Sequence, residues 1–322
     1  MFDSYKPIRD LITNDYILLD LPYHINIGDL LIWQGELSFL KHEVKYKMLG
    51  YYSLYTFGYP KIKQDTVLLL HGGGNFGDIW RDSQVFRLEV IKRYPNNRII
   101  IFPQSVYYTS DELAIADAEL FAKHHDVTIC ARDEVSYKYI MRFFKNTLFC
   151  IPDMAFCNDE SFFKPYSLEH TKDNLFIKRT DHEARDVKVD FIDGAYDICD
   201  WPGTERPSML IKFLFLSMLF PRRLRKKGKF GGVIASVLSW SVNKIFMYYV
   251  RPHYIRRGVH LISQYRNIYT TRLHGLILAR LLNKNIFIVP NNNGKLENYY
   301  NTWLKGCENI HLLLSDKNQS LK

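Results

Sequence analysis

The chain has 322 residues, 47% of them hydrophobic and 24% charged, a balance that excludes a disordered or low-complexity protein and suits two globular domains of ordinary size. Cys130, Cys150, Cys157, Cys199 and Cys307 are odd in number and have no Cys-x-x-Cys spacing, which argues against a disulfide framework or a zinc site and for a reducing compartment. The formal net charge is +9, but Arg222, Arg223, Arg225, Lys226, Lys227 and Lys229 supply six positive charges in eight positions; the basicity is local, and no nucleic-acid reading motif accompanies it.

Met1 to Asp10 lacks the apolar core of a signal peptide, so the expected location is cytoplasmic. Tyr16 to Leu21 reads as the first strand, and a helical pattern runs from Leu30 to Leu40. Asn26, Gly28 and Asp29 fall on the turn between them, where glycine admits close backbone approach and Asp29 can cap the helix. Taken alone, Asn-x-Gly-Asp is also a common turn.

Thr66 to Leu70 is an almost wholly apolar strand, as in a sheet buried on both faces. It runs into His71-Gly72-Gly73-Gly74-Asn75, a predicted loop whose bare backbone suits an anion or a sugar as well as a tight turn, and a helix follows through Arg93. The loop lacks both the Walker ending and the dinucleotide glycine spacing. Strand 98–102, loop Pro103-Gln104-Ser105, helix 112–124 and strand 127–131 continue the alternation. Arg132-Asp133-Glu134-Val135-Ser136 then opens a helix, and strand 148–151 with Pro152-Asp153 closes a doubly wound domain over 1–157.

Residues 158–172 are polar and read as a linker to a second α/β domain over 173–314, followed by a polar tail at 315–322. The first strand of that domain, 174–177, ends in Lys178 and Arg179, and 181–193 is a charged, solvated loop. An insertion at 208–250 interrupts the domain. Its strongly apolar stretch from Ser208 to Phe220, thirteen residues interrupted by Lys212, is too short to span a bilayer, which takes about 20. Gly231 to Val250 is long enough but contains Asn243 and Lys244. An apolar segment beside six cations fits peripheral attachment of 208–229 to an anionic membrane, on its inner face, and fits equally a core helix with a solvated basic loop.

Strand 267–271 leads into Thr271-Arg272-Leu273-His274-Gly275, a helix with Leu276, Leu278, Ala279 and Leu282 at helical spacing, a strand at 286–289 and Lys295. In an open parallel sheet, ligands bind beyond the carboxyl ends of the strands, where helices begin. Backbone N–H groups and the helix dipole favour an anion there, Arg272 can add a forked cation, and His274 can exchange a proton near neutrality. A surface arginine and a capping histidine remain the plainer alternative for an isolated Arg-x-His.

Taken in order, Asn26-x-Gly28-Asp29, Gly72-Gly73-Gly74-Asn75, Arg132-Asp133-Glu134-x-Ser136, Pro152-Asp153, Arg272-Leu273-His274-Gly275 and Lys295 resemble the polysaccharide pyruvyl transferase family from about Tyr23 to Trp303. Asn291-Asn292-Asn293 and Met154 depart from the family pattern. The resemblance implies two Rossmann-like domains of the glycosyltransferase-B type and transfer of a pyruvyl group from phosphoenolpyruvate, as co-substrate, to two hydroxyls of a sugar, forming a cyclic ketal. It implies a surface-polysaccharide acceptor, typically lipid-linked, on the side of the first domain, with no other cofactor and no metal.

The resemblance matches Arg132 and Arg272 to arginines that hold the donor and His274 to the acid/base; beside them, the chemistry and the strand-end positions make Leu273, Gly275, Arg179 and Lys295 candidates for the donor, Asp29 a weaker catalytic candidate, and Asn26, Gly28, Gly73, Gly74 and Asn75 candidates for the loop or acceptor side. A nucleotide-sugar glycosyltransferase of the same architecture and a non-catalytic membrane scaffold of polysaccharide assembly are the competing expectations.

Overall fold

A computed structural model describes residues 2–180, 189–202, 208–225, 227–290 and 294–313. Most of the loop expected at 181–193, Lys226 of the basic run, Asn291 to Asn293 and the tail at 315–322 lie outside the described residues. The chain divides into two compact units, one of Met1–His24, Ile32–Cys157 and Arg206–Pro252, the other of Ile25–Leu31, Asn158–Glu205 and His253–Lys322.

In the first unit, chain order runs α1 (Lys6–Leu11), β1 (Tyr16–Leu19), α2 (Ile27–Glu43), β2 (Met48–Tyr51), β3 (Val67–Leu70), β4 (Gly73–Gly77), α3 (Arg81–Arg93), β5 (Ile99–Tyr107), α4 (Asp111–Ala122), β6 (Val127–Ala131), α5 (Glu134–Met141) and β7 (Thr147–Cys150). The opening residues of α2, up to Leu31, count with the second unit. Six strands pair in parallel in the order β2-β1-β3-β5-β6-β7, and β4 pairs with β5. β1, β3 and β6 are buried along their whole length, as continuous apolar runs in a doubly covered parallel sheet must be. Leu19, Leu68, Leu70, Ile99 and Ile101 pack there with Phe86, Val90 and Phe121 of α3 and α4.

Two expected loops are strand. Pro103, Gln104 and Ser105 lie inside β5, where the register with β6 shifts between Ile101 and Gln104 and so accommodates a proline that cannot donate to the ladder. The triple-glycine segment becomes β4, with Gly73 and Gly77 at φ 128° and 117°. A side chain at Gly77 would lie 1.8 Å from the Tyr107 carbonyl oxygen, so only glycine lets these strands approach.

Chain order continues with α6 (Glu160–Phe163), β8 (Lys172–Ile177), β9 (Tyr196–Cys199), α7 (Met209–Arg225), α8 (Gly228–Ile245), α9 (Arg251–Ser263), β10 (Tyr265–Thr270), α10 (Leu273–Leu281), β11 (Asn285–Ile288), α11 (Lys295–Tyr299) and β12 (Ile310–Leu312). In the second unit five strands pair in parallel in the order β12-β11-β10-β8-β9. Helices α7 and α8, expected as an insertion in the second domain, belong by contact to the first unit: Tyr23 stacks on Phe246 at 4.3 Å and donates its hydroxyl to Asn243 at 2.8 Å.

Strand order locates one switch point per sheet. In the first unit the chain steps from β1 to the edge strand β2 and returns past β1 to β3; in the second it steps from β8 to the edge strand β9 and returns past β8 to β10. The crevice beyond the carboxyl ends of such a strand pair is where open α/β sheets take ligands.

Candidate active site

The second unit's switch point is flanked by two of the predicted arginines. Thr270 of β10 is in register with Ile177 of β8, so Arg179 and Arg272, each two residues further on, stand at the same level on neighbouring strands. The backbone joins them: the Thr271 N–H donates to Ile177 O at 3.1 Å, and the Arg179 N–H donates to Thr271 Oγ1 at 3.0 Å. Neighbouring strands lie about 4.8 Å apart, so the two arginines leave the sheet side by side.

Asp200, just past β9, pairs with Arg272. Arg272 donates from Nε to Asp200 Oδ1 and from Nη2 to Oδ2 at 2.7 Å, a forked pair that fixes the plane of the guanidinium. The same carboxylate accepts from the Thr180 N–H and hydroxyl at 3.0 and 2.8 Å and from the Trp201 N–H at 2.7 Å. Burial pushes the Asp200 carboxyl up, but the hydrogen bonds and charge of Arg272, with Thr180 and Trp201, outweigh it and hold the group below its ordinary value. Arg272 is thus held in a fixed orientation.

His274 is half-buried in the first turn of α10, and Gly28 of α2 backs onto its ring. A Cβ added to Gly28 would lie 2.4 Å from His274 Nδ1 and 2.8 Å from Cγ. Asn26, not Asp29, caps α2: its Oδ1 accepts the Gly28 N–H at 3.0 Å, because the helix begins at Ile27, earlier than the sequence predicts. Asp29 lies inside the first turn, where its charge complements the dipole. Gly275 is packing: a side chain there would lie 2.6 Å from Thr270 Oγ1, which itself accepts the Arg272 N–H at 2.9 Å. Leu273 opens α10, and half-buried Lys295 opens α11 after Gly294 at φ 62°.

Gly73, Gly74, Asn75 and Arg132 belong to the first unit. Buried Arg132, past β6, donates from Nε to Ser105 Oγ and from Nη1 to Asp153 Oδ2, both at 2.8 Å, and a Cβ on Gly74 would stand 3.2 Å from its Nη2. Asp153 also accepts the Ala155 N–H at 2.9 Å. Asp133 caps α5 through the Ser136 N–H at 2.8 Å, as its place before a helix demands.

The first unit's switch point holds a polar network with little warning in the sequence. Asp20, beyond β1, is buried in the left-handed region at φ 61°, and Arg87 Nη2 donates to it at 3.0 Å. Asn75 is tied to both, since its Oδ1 accepts from Arg87 and its carbonyl accepts Arg87 Nη1 at 2.9 Å while its Nδ2 lies 3.5 Å from Asp20 Oδ2. Burial raises the Asp20 carboxyl to about 6, with the charges of Arg87 and His71 pulling the other way. Beyond β3, His71 Nδ1 lies 2.8 Å from Glu36 Oε2, and Glu36 Oε1 accepts the Gly72 N–H at 2.8 Å. The one signal for these residues is position: Asp20 and His71 directly follow apolar strands.

The sequence profile described as polysaccharide pyruvyl transferase matches residues 26–293. The chain is 29% identical over 302 residues to the "Putative pyruvyl transferase EpsO" of Bacillus subtilis, covering 93% of this chain and 88% of that one. To Pyruvyl transferase 1 of Schizosaccharomyces pombe it is 28% identical over 316 residues, covering 90% of this chain and 70% of that one. A solved structure of a functionally uncharacterized Klebsiella pneumoniae protein shares the fold, with a TM-score of 0.64 over 98% of this chain and 97% of that one at 18% identity.

Proposed function

Because the chain belongs to the polysaccharide pyruvyl transferase family, and is on that ground a pyruvyl-transferring enzyme of polysaccharide biosynthesis, we propose that it moves the pyruvyl group of phosphoenolpyruvate onto two hydroxyls of one sugar in a surface-polysaccharide precursor. The product is a cyclic ketal, made on a fold of the glycosyltransferase-B type. The observation that carries this reading is the placing of Arg179, Arg272 and His274 at the switch point of one parallel sheet.

Phosphoenolpyruvate presents a carboxylate and a phosphate on a three-carbon frame. Arg272, held in plane by Asp200, and Arg179 beside it match that double anion, with Lys295 as a further cation for the departing phosphate. His274 gives a proton to the methylene carbon, which becomes a methyl group, while the adjacent carbon takes the first sugar oxygen and that hydroxyl's proton returns to the histidine. The second hydroxyl then attacks the same carbon, the bond to the phosphate oxygen breaks, and the second hydroxyl's proton leaves with inorganic phosphate. Atoms and charge balance without an oxidant or reductant.

The test is incubation with phosphoenolpyruvate and candidate acceptor sugars, following phosphate release and the pyruvyl mass increment on the sugar. His274→Ala is expected to abolish turnover while phosphoenolpyruvate still raises its melting temperature. Equal turnover by that variant would remove the histidine from the mechanism. Stabilisation by nucleotide sugars and not by phosphoenolpyruvate would replace the donor.

A further inference from the structure

Residues 208–250 contain eight cationic side chains and no carboxylate. They fold into α7, α8 and a following π-helical turn, Phe246–Val250, which continues α8 into α9 without a break. The outer faces of these helices are not polar as in a water-soluble hairpin, although α7 also buries Ile211, Leu214 and Met218. The buried stripe of α8 is made of Gly231, Ala235, Ser239, Val242 and Asn243. Gly231 is in close approach to α7, since a Cβ there would lie 2.2 Å from Leu224 O. Small residues between helices and large apolar ones outside is the arrangement of helices that meet lipid.

The outward faces are large and apolar. On α7, Met209, Phe213, Leu216 and Phe220 follow one another at helical spacing, with Met209 87% and Phe213 71% exposed. On α8, Phe230, Val233, Val237 and Trp240 do the same, with Phe230 79% exposed, and Tyr248 and Tyr249 of the π-helical turn are also exposed. Arg222, Arg223, Lys227 and Lys229 are exposed where the two helices join, and Lys212 lies among the apolar residues of α7. Lys244 Nζ stands 5.8 Å over Trp240 and 5.2 Å over Tyr248, a Trp-Tyr-Lys grouping typical of a membrane–water interface.

We propose that this face lies in the plane of an anionic lipid surface, with the cations of the α7–α8 junction at the headgroups. The inference goes beyond pyruvyl transfer and does not rest on it. A transmembrane span fits less well, although Gly228–Ser263 is long and apolar enough to cross a bilayer. Its inner side is committed to protein: Asn243 accepts from Tyr23, Ser239 accepts from Arg225 Nη2 at 2.9 Å, and the same Nη2 donates to Thr56 O at 2.8 Å. Spanning would strip these polar partners away in hydrocarbon. A second copy of the chain fits less well still, because a symmetric pairing would bring two sets of cations together with no carboxylate in 208–250 to face them.

The experiment is flotation of the full chain with vesicles of equal parts phosphatidylglycerol and phosphatidylcholine, against phosphatidylcholine alone, at low and high salt. Binding should be about tenfold or more tighter to the anionic vesicles and should weaken with salt. Trp240 fluorescence should shift to the blue, and Trp240→Phe should remove that component. Phe213→Glu with Val237→Glu should lose flotation, and Arg222→Glu with Lys229→Glu should lose the preference for anionic lipid, both with melting temperatures near that of the parent because all four side chains are exposed. Three results would overturn the proposal: no flotation, flotation unchanged in both variants, or a salt-independent dimer that the Phe213 and Val237 substitutions dissociate. Retention on natural membranes through alkaline carbonate would replace it with a span.

Discussion

Gly28→Ala places one methyl group against the imidazole proposed to carry the protons. The added carbon would lie 2.4 Å from His274 Nδ1, whereas ordinary contact begins at 3.4 Å, so ring or helix must move by about 1 Å, a misplacement that can cost on the order of a hundredfold in rate. Stability should change far less. Alanine improves a helix position by up to about 1 kcal/mol and overpacking costs about 1–3 kcal/mol. The half-buried ring can swing aside, so the net shift should stay within about 2 kcal/mol, or roughly 4–8 °C for a domain of this size. Gly232→Ala is the control, because a Cβ there meets nothing within 4 Å. The assay is phosphate release under saturating phosphoenolpyruvate and acceptor, beside a thermal melt of each variant. Parental turnover in Gly28→Ala, with the fold intact, would refute the idea that the Asn26-Gly28 turn sets the position of His274.

Asp200→Asn should leave the fold standing but loosen Arg272, raising KM for phosphoenolpyruvate about tenfold or more with a smaller change in kcat, as expected where one charge-assisted pair of about 1.5–3 kcal/mol is lost; an unchanged KM would place the pair outside donor binding. Asp20→Asn should alter the pH dependence of stability. The Asp20 carboxyl is raised from 3.8 to about 6, so between those values the native state holds a proton that the unfolded chain has released. That contribution is fully present below the lower value and fades as pH rises through the higher one, by about 3 kcal/mol in all. Asparagine tolerates the left-handed backbone but cannot titrate, so denaturant melts of the variant should decline less between pH 4 and 6 than those of the parent.

The parallel strands were legible because a strand covered on both faces must be a short apolar run, and Leu68 to Leu70, Ile129 to Ala131 and Ile286 to Ile288 have no other character. From a strand followed by Arg-x-His and a helical pattern to the carboxyl end of a parallel sheet is one step of general topology, which is why the place of Arg272 and His274 in the fold was legible. Asp200 was not, because its partner is 72 residues away in sequence and the two meet only through a strand order that sets β8 between β9 and β10. The edge strands β2 and β9 escaped notice since half-exposed Met48–Tyr51 and exposed Tyr196–Cys199 carry no apolar run. β4 escaped because glycine has poor strand propensity and pairs here by backbone alone. For 208–250 the obstacle was different in kind: a core helix and an interfacial one can share a composition, and what separates them is which face the neighbouring elements cover. Gly231, Ala235 and Ser239 inside, with Phe230, Val233, Val237 and Trp240 outside, are the placement that composition could not show and on which the proposed lipid-facing surface rests.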